Sequence, residues 1–374
     1  MNTRVKNSIR FLLSLSLLII FSTRVSHATD ELAVFAEQLE SSINSRNPYY
    51  FNLCFDTEAI IYKVTGESES AFNNEFAEGF IEGVKQEFDP GSSIIDEIGT
   101  DGSFTFIRAY RKNEKTKLLF RLISDYGLNY HEYEVEQRGD RIVIVDGYIY
   151  ISAQTISSTF EQVYTEYLLN IYRYTENRRY NDPCKKIQRL AESGKTLKAY
   201  KKWEKLPSLI RYTKSNQLLG INLAKKINKK TYFGTYIEFL EHFPDEPGKF
   251  FVSLDGLIEH EYLQAALKNI DILDETIQND PLLNVLRANI YYKSGNTKGA
   301  ETCLHQVIES MPEYETGYIS LLDIYLEENE FEKATELLDK IVLTFDTVKE
   351  DLLPFIENHP DFKDSAEYKS WIDR

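Results

Sequence analysis

Residues 285–312 read VLRANIYYKSGNTKGAETCLHQVIESMP, and how this stretch is read decides the fold. A small residue, Ala288, is followed three positions later by Tyr291; a turn glycine, Gly295, comes next, then Ala300, and Pro312 closes the stretch. Shifted by 34 residues in either direction, the chain matches itself. Ala266, Ala300 and Ala334 fall in one column, as do Leu257, Tyr291 and Tyr325, then Ile270, Leu304 and Leu338, then Leu273, Val307 and Ile341. Four columns holding across three copies predict a helix-turn-helix unit that stacks on itself. The small residues let its two helices approach closely, and the large ones fill the groove to the next unit.

A unit of this length with this signature resembles the tetratricopeptide repeat. Copies over 247–280, 281–314 and 315–348 carry the columns. Another runs from about 213 to 246, with Leu219, Gly220, Leu223, Tyr236, Phe239 and a closing Pro244. A further one, over 180–212, keeps the spacing from Gly194 to Ala199 and continues through Trp203 and Leu206 until Pro207 cuts its second helix short. The tail, with Leu352, Phe355, Ile356, Phe362, Tyr368 and Trp371, resembles helices that cap such an array. The resemblance implies an all-α solenoid over residues 160–374 and a role in binding proteins or peptides. Some members of that family grip a terminal carboxylate with Lys and Asn, but here only Asn289 fits; the lysine position is Val285, and the next unit offers Ile319 and Asp323. A partner would therefore meet the groove-facing residues Asn289, Tyr292, Lys293, Asp323 and Glu327, a mixed polar and aromatic surface suited to a peptide.

The first half has a different period. Leu32, Phe35, Leu39 and Ile43 have helical spacing, and Phe72, Phe76, Phe80, Val84 and Phe88 recur every four residues, predicting two amphipathic helices. The period then falls to two: 104–110, 117–123, 129–137 and 141–152 are β-rich runs joined by short polar turns, which predicts an antiparallel meander. Ile142 to Val145 is apolar on both faces, so this last strand should be central or covered. Ser158 with Glu161 fits a capping box, so a long helix carrying Phe160, Tyr164, Tyr167, Leu168, Ile171 and Tyr172 is expected from there. Helices followed by a curved antiparallel sheet over residues 29–159 resemble the nuclear-transport-factor-2-like or cystatin-like cone, an α+β fold. That resemblance implies either an enzyme or a plain binding module, since such folds host both.

The chain opens with Arg4, Lys6 and Arg10, an apolar run from Phe11 to Phe21, and Ser26-His27-Ala28. This is the pattern of a secretory signal peptide over residues 1–28, with cleavage after Ala28 and a mature start at Thr29. An apolar core of about eleven residues is short for a span of roughly twenty. The expectation is an exported protein, periplasmic or extracellular. Of the three cysteines in the chain, Cys54, Cys184 and Cys303, no two form a C-x-x-C pair, and buried free thiols are expected.

At 374 residues, 42% hydrophobic and 13% aromatic, the chain can bury sizeable cores, which excludes disorder as its main state. No phosphate loop, nucleophile elbow or zinc-binding helix motif is present, so no cofactor or metal is implied. His131 on a strand reads as a surface or satisfied core group, and His242, His260, His305 and His359 as solvated positions on the repeats. The charge is unevenly spread: residues 29–159 hold 11 basic and 23 acidic groups, 173–230 hold 17 and 4, and 231–374 hold 11 and 30. The middle segment exceeds what a solvated face requires. Lys198, Lys201, Lys202, Lys205, Lys225, Lys226, Lys229 and Lys230 recur at three- and four-residue steps and are expected to form a positive surface for an acidic protein partner; nucleic acid is not expected for an exported chain. The function that follows is an exported, non-catalytic interaction adaptor. The rival expectations are an enzyme with its site in the cone and an envelope-associated structural protein held by the basic segment.

Overall fold

The computed structural model describes residues 31–65, 75–124, 127–164 and 183–374, with backbone alone for 75–78. The expected signal segment, Phe72, the stretch Tyr167 to Tyr172 and the basic residues from Arg173 to Arg179 lie outside the described residues. The chain divides into two compact units, Met1–Lys186 and Ile187–Arg374.

The first unit is α+β. Helix α1 (residues 31–44) buries Phe35, Ala36, Leu39 and Ile43, the stripe its spacing predicts. Three further helices went unread in the sequence: α2 (Tyr49–Leu53), α3 (Thr57–Thr65) and α5 (Pro90–Ile98). Helix α5 has a clear start signal, since Asp89 accepts a hydrogen bond from the Ser92 amide and Pro90 stands at its first position. Between them lies α4 (Glu75–Glu87), which buries Ile81 and Val84.

The sheet is an antiparallel meander in the order β1 (Ser103–Lys112), β2 (Lys115–Ser124), β3 (Gly127–Arg138), β4 (Arg141–Ile149), β5 (Gln154–Thr155). β4 stops three residues short of the expected Ser152, because Ala153 takes a left-handed φ of 49° and turns the chain back so that Thr155 pairs with Tyr148. Further along the same edge of β4 the Asp56 amide bonds to Ile144 O at 2.8 Å and the Ile144 amide to Cys54 O at 2.7 Å. With β3 on its other edge, β4 is internal to the sheet, the central place its apolar run predicts. Phe51, Phe104, Phe120 and Tyr133 form an aromatic centre, with Phe104 and Phe120 stacked at 4.5 Å.

Helix α6 (residues 156–164) starts three residues before the position the capping box indicated. Thr155 is the cap: its Oγ1 accepts from the Ser158 amide, and Ser158 Oγ accepts from the Thr155 amide, both at 3.0 Å. Ser158 thus plays the reach-back part, and Thr155 is a residue equally able to cap. Phe160 of this helix meets Phe88 at 5.4 Å and Tyr164 meets Phe80 at 4.8 Å, so α6 closes the α+β unit.

The second unit is all-α. It runs through α7 (Pro183–Glu192), α8 (Thr196–Trp203) and the short α9 (Ser208–Arg211), after which the helices pair consecutively: α10 (Lys214–Lys225) with α11 (Lys229–His242), α12 (Lys249–Glu259) with α13 (Leu263–Ile277), α14 (Leu283–Lys293) with α15 (Thr297–Ser310), and α16 (Glu315–Glu327) with α17 (Phe331–Phe345). Ala266, Ala300 and Ala334 are each the fourth residue of a second helix and each is wholly buried. The backbone carries the same period. Left-handed residues stand at Glu261, Gly295 and Asn329, 34 apart, although only one is glycine. The turn they make is closed by the same bond each time, Tyr262 N to Leu257 O at 2.7 Å, Asn296 N to Tyr291 O at 2.8 Å and Glu330 N to Tyr325 O at 2.8 Å.

Successive pairs meet where a large ring faces a missing side chain. A Cβ on Gly220 in α10 would lie 2.2 Å from the Trp203 ring of α8, and one on Gly256 in α12 would lie 2.2 Å from the Tyr232 ring of α11. α18 (Lys349–Ile356), α19 (Pro360–Asp364) and α20 (Ala366–Ile372) end the unit; Phe362 and Trp371 are wholly buried there, and Trp371 Nε1 donates to Asp339 Oδ1 at 2.7 Å. The three thiols are free; Cys54 and Cys303 are buried and Cys184 is half-buried. No helix among the described residues is long and apolar enough to cross a membrane.

Candidate functional site

The five groove residues lie on α14 and α16, the first helices of adjacent pairs. Asn289, Lys293, Asp323 and Glu327 are exposed and Tyr292 is half-buried. Three of them take part in contacts between neighbouring elements: Tyr292 Oη donates to Glu327 Oε2 at 3.4 Å, and His359 Nε2 stands 3.4 Å from Asp323 Oδ1. Partial burial and then the carboxylates of Glu327 and Glu328 push the Tyr292 phenol up to about 12, so it stays a hydrogen-bond donor at any ordinary pH. Val285 and Ile319 are half-buried and supply carbon beside the polar groups.

A polar cleft that the sequence did not signal lies on α13 to α15. Arg287 there bonds Asp274 Oδ2 at 2.7 Å, Asp271 Oδ1 at 3.0 Å and Asn284 Oδ1 at 2.9 Å. The guanidinium is spoken for by its own carboxylates, and a group already saturated is a poor recognition point for a ligand.

The eight lysines divide by environment. Lys198, Lys201, Lys202, Lys205, Lys226 and Lys230 are exposed and have no ion pair among the described residues. Lys225 is instead half-buried, 3.6 Å from Asp255 and 3.7 Å from Glu259, and Lys229 places its ammonium 4.6 Å from the centre of the Tyr262 ring. These two help join one hairpin to the next. Lys201 and Lys202 close the last turn of α8, where the helix dipole favours a cation, but Lys229 and Lys230 open α11, where it does not. Local stability therefore gives no reason for Lys230. Beside the lysines, Leu197 is 53% and Leu209 93% exposed.

Of the four histidines of the helical unit, two are exposed as expected and two are not. His242 is exposed and stacks on Tyr212 at 4.1 Å, and His305 is exposed beside the Tyr325 hydroxyl. His260 and His359 are half-buried because each reaches across one repeat length, His260 to Lys225 O at 2.9 Å and His359 to Asp323. No cluster of metal-ligating side chains occurs among the described residues.

In the α+β unit His131 is a satisfied core group, with Nε2 3.2 Å from Asn129 Nδ2 and Nδ1 2.9 Å from Tyr133 Oη. It lies at the inner end of a cavity of about 690 Å³ walled largely by carbon, with Glu97 and Tyr133 beside it. The α+β unit is therefore neither filled by apolar side chains nor lined throughout by polar ones. Glu97, Asn129 and Tyr133 belong to no motif; only the odd placing of polar residues on the core-facing side of β3 could have drawn attention to them.

No protein-family model matches the chain, and no curated protein matches it.

Proposed function

We propose that the chain is an exported, non-catalytic adaptor whose second unit is a tetratricopeptide-type array that binds an acidic protein partner. The observation that carries this reading is the set of six exposed lysines without an ion pair among the described residues, concentrated on α8 to α11 of a chain whose flanking segments are strongly acidic. The period of 34 in the left-handed turn residues and in the buried alanines supports the family assignment. The exposed Leu197 and Leu209 add apolar contact area next to the charge, a combination that protein interfaces use for affinity and orientation together. A peptide passing along α14 and α16 would meet Asn289, Lys293, Asp323 and Glu327 in sequence.

The test is cross-linking of the mature protein to proteins of its own compartment, followed by affinity measurement with the partner recovered. Exposed charges are screened within about 8 Å at physiological salt, so affinity should fall steeply as salt rises. Changing Lys201, Lys202, Lys226 and Lys230 to Glu should weaken binding at least tenfold, whereas changing Lys225 should act mainly on stability. An affinity indifferent to both salt and the four substitutions would leave the lysines as a solvated face and remove the basis of the reading.

A further inference from the structure

The cavity of the α+β unit carries an inference independent of the adaptor reading. Its walls are Phe80 and Val84 of α4, Phe88, Ile94 of α5, and Ile156 and Phe160 of α6. Its inner end is polar, and the polarity is ordered by the backbone. Asn129 Oδ1 accepts from the Tyr130 amide at 2.8 Å and the Ile151 amide at 3.1 Å, so the amide group cannot be turned over without opposing two donors. Its Nδ2 must then face Glu97 Oε1 at 3.3 Å and His131 Nε2 at 3.2 Å, one hydrogen to each.

The orientation propagates. His131 is 3% exposed, and burial depresses its basicity to about 3, so the ring is neutral and carries one proton. Nε2 accepts from Asn129, which leaves that proton on Nδ1, and Nδ1 donates to Tyr133 Oη at 2.9 Å. The Tyr133 oxygen is thereby used as an acceptor, and its own hydrogen points elsewhere. Tyr133 is 1% exposed, lines the cavity, and has no other hydrogen-bond partner among the described residues. Burial, and after it the Glu97 carboxyl, hold the phenol protonated well above its ordinary range. A buried donor without an acceptor is costly to maintain, and an acceptor brought in by a bound molecule would relieve that cost.

We propose that this cavity binds an uncharged, mostly apolar molecule bearing one carbonyl-type oxygen, held by a hydrogen bond from Tyr133 Oη. The lining disfavours either charge: Glu87, Asp89 and Glu97 are acidic and none of the described lining residues is Lys or Arg, so an anion is repelled, while the carbon walls would strip a cation of its hydration. The carbon walls exclude water from the bond and so strengthen it. They also make discrimination sharp, because a molecule without the oxygen leaves Tyr133 unpaired. Access lies along α4, where Gly79 and Gly83, four residues apart on one face, line the cavity and have open space in place of side chains.

Nile red, a neutral apolar dye with a ring carbonyl whose emission shifts to the red on accepting a hydrogen bond, is the probe. Titrated with the full chain, it should bind saturably. Gly83→Leu adds a side chain where nothing lies within 4 Å of the Cβ, so it should fold normally and weaken binding at least tenfold. Tyr133→Phe should weaken binding about tenfold and shift the bound emission to the blue. Circular dichroism of both variants reads whether the fold is kept. Failure of the wild-type chain to bind saturably, or undiminished binding by a folded Gly83→Leu variant, overturns the site. An unshifted emission in a folded Tyr133→Phe variant overturns the assignment of Tyr133 as the donor.

Discussion

The two units handle polar side chains in opposite ways. Among the described residues, the buried polar groups of the helical unit are Gln217, Thr235, Ser253, Asn269, Asp280 and Thr335, only one of them ionisable. The α+β unit buries Arg121, His131, Glu134 and Asp146. Helical hairpins have an inner stripe and an outer surface, and every charge has room outside. A meander whose residues alternate between two covered faces has no such freedom, so its polar positions are enclosed and must be matched. One face of the sheet carries the cavity. On the other, Lys63, Lys115 and Lys117 surround Glu134 at 3.0 to 3.4 Å; burial works against the Glu134 charge, but the three ammonium groups outweigh it and hold the carboxyl below its ordinary value. The helical unit thus displays its charge on its surface, and the α+β unit encloses part of its own.

Acid should separate the units more than any other treatment. His131 is depressed from 6.5 to about 3, so between those values the unfolded chain takes up a proton that the folded chain refuses. The stability it permits is complete above the unfolded value and is lost as pH falls toward the folded one. At pH 4.5, two pH units below the unfolded value, the loss is about 3 kcal/mol. Glu97 works in the reverse sense, since burial raises its pKa and its protonation on acidification favours the folded state. The contribution of His131 is therefore read as a difference. Between pH 7.5 and 4.5 the wild type should lose about 3 kcal/mol more than His131→Gln, measured by hydrogen exchange of the β3 amides. Parallel curves for the two proteins would show that His131 is not held neutral.

How much was legible follows the same division. The helical unit was legible because the evidence is repeated: a column of Ala266, Ala300 and Ala334 says three times what one alanine could not. Even so, the turn residues Glu261 and Asn329 conceal the period that Gly295 reveals, since a left-handed φ is commonest for glycine but not confined to it. The strands of the α+β unit were legible from their alternation, whereas α2, with five residues, and α3 and α5, with nine each, are too short to establish a period. Of the candidate surface, the lysines could be listed, but not their fates: Lys225 and Lys229 are drawn to Asp255, Glu259 and Tyr262 by contacts between hairpins. The cavity was not legible. Glu97 comes from a helix and Asn129, His131 and Tyr133 from alternate positions of one strand, and nothing in their spacing distinguishes them from a strand with a solvated face.

A smaller effect tests the packing that joins the hairpins. Gly220→Ala places a methyl 2.2 Å from the ring of Trp203, which is wholly buried and cannot retreat. Overpacking of this kind costs about 1 to 3 kcal/mol, partly offset by the better helix propensity of alanine, and a net loss of about 2 kcal/mol is expected. The chain has two tryptophans, Trp203 and Trp371, both in the helical unit, so their emission during urea unfolding follows that unit alone. The tryptophan transition should move to lower urea while exchange at the β3 amides is unchanged. An unmoved tryptophan midpoint would mean that α8 and α10 are not packed ring against backbone.

The smallest effect has the opposite sign and belongs to the other unit. Gly83 sits in the interior of α4, and a Cβ there would meet nothing within 4 Å. In an exposed helix interior, alanine is favoured over glycine by about 1 kcal/mol, because it restricts the unfolded chain and exposes less backbone. Gly83→Ala should therefore stabilise the α+β unit by about 1 kcal/mol, read as slower exchange of the α4 amides, with the tryptophan transition of the helical unit unmoved. Stabilisation would show that Gly83 weakens its own helix while leaving space beside the cavity it lines. If the alanine variant is instead destabilised, the space beside Gly83 is needed for packing, and the cavity is narrower at that point than its walls indicate.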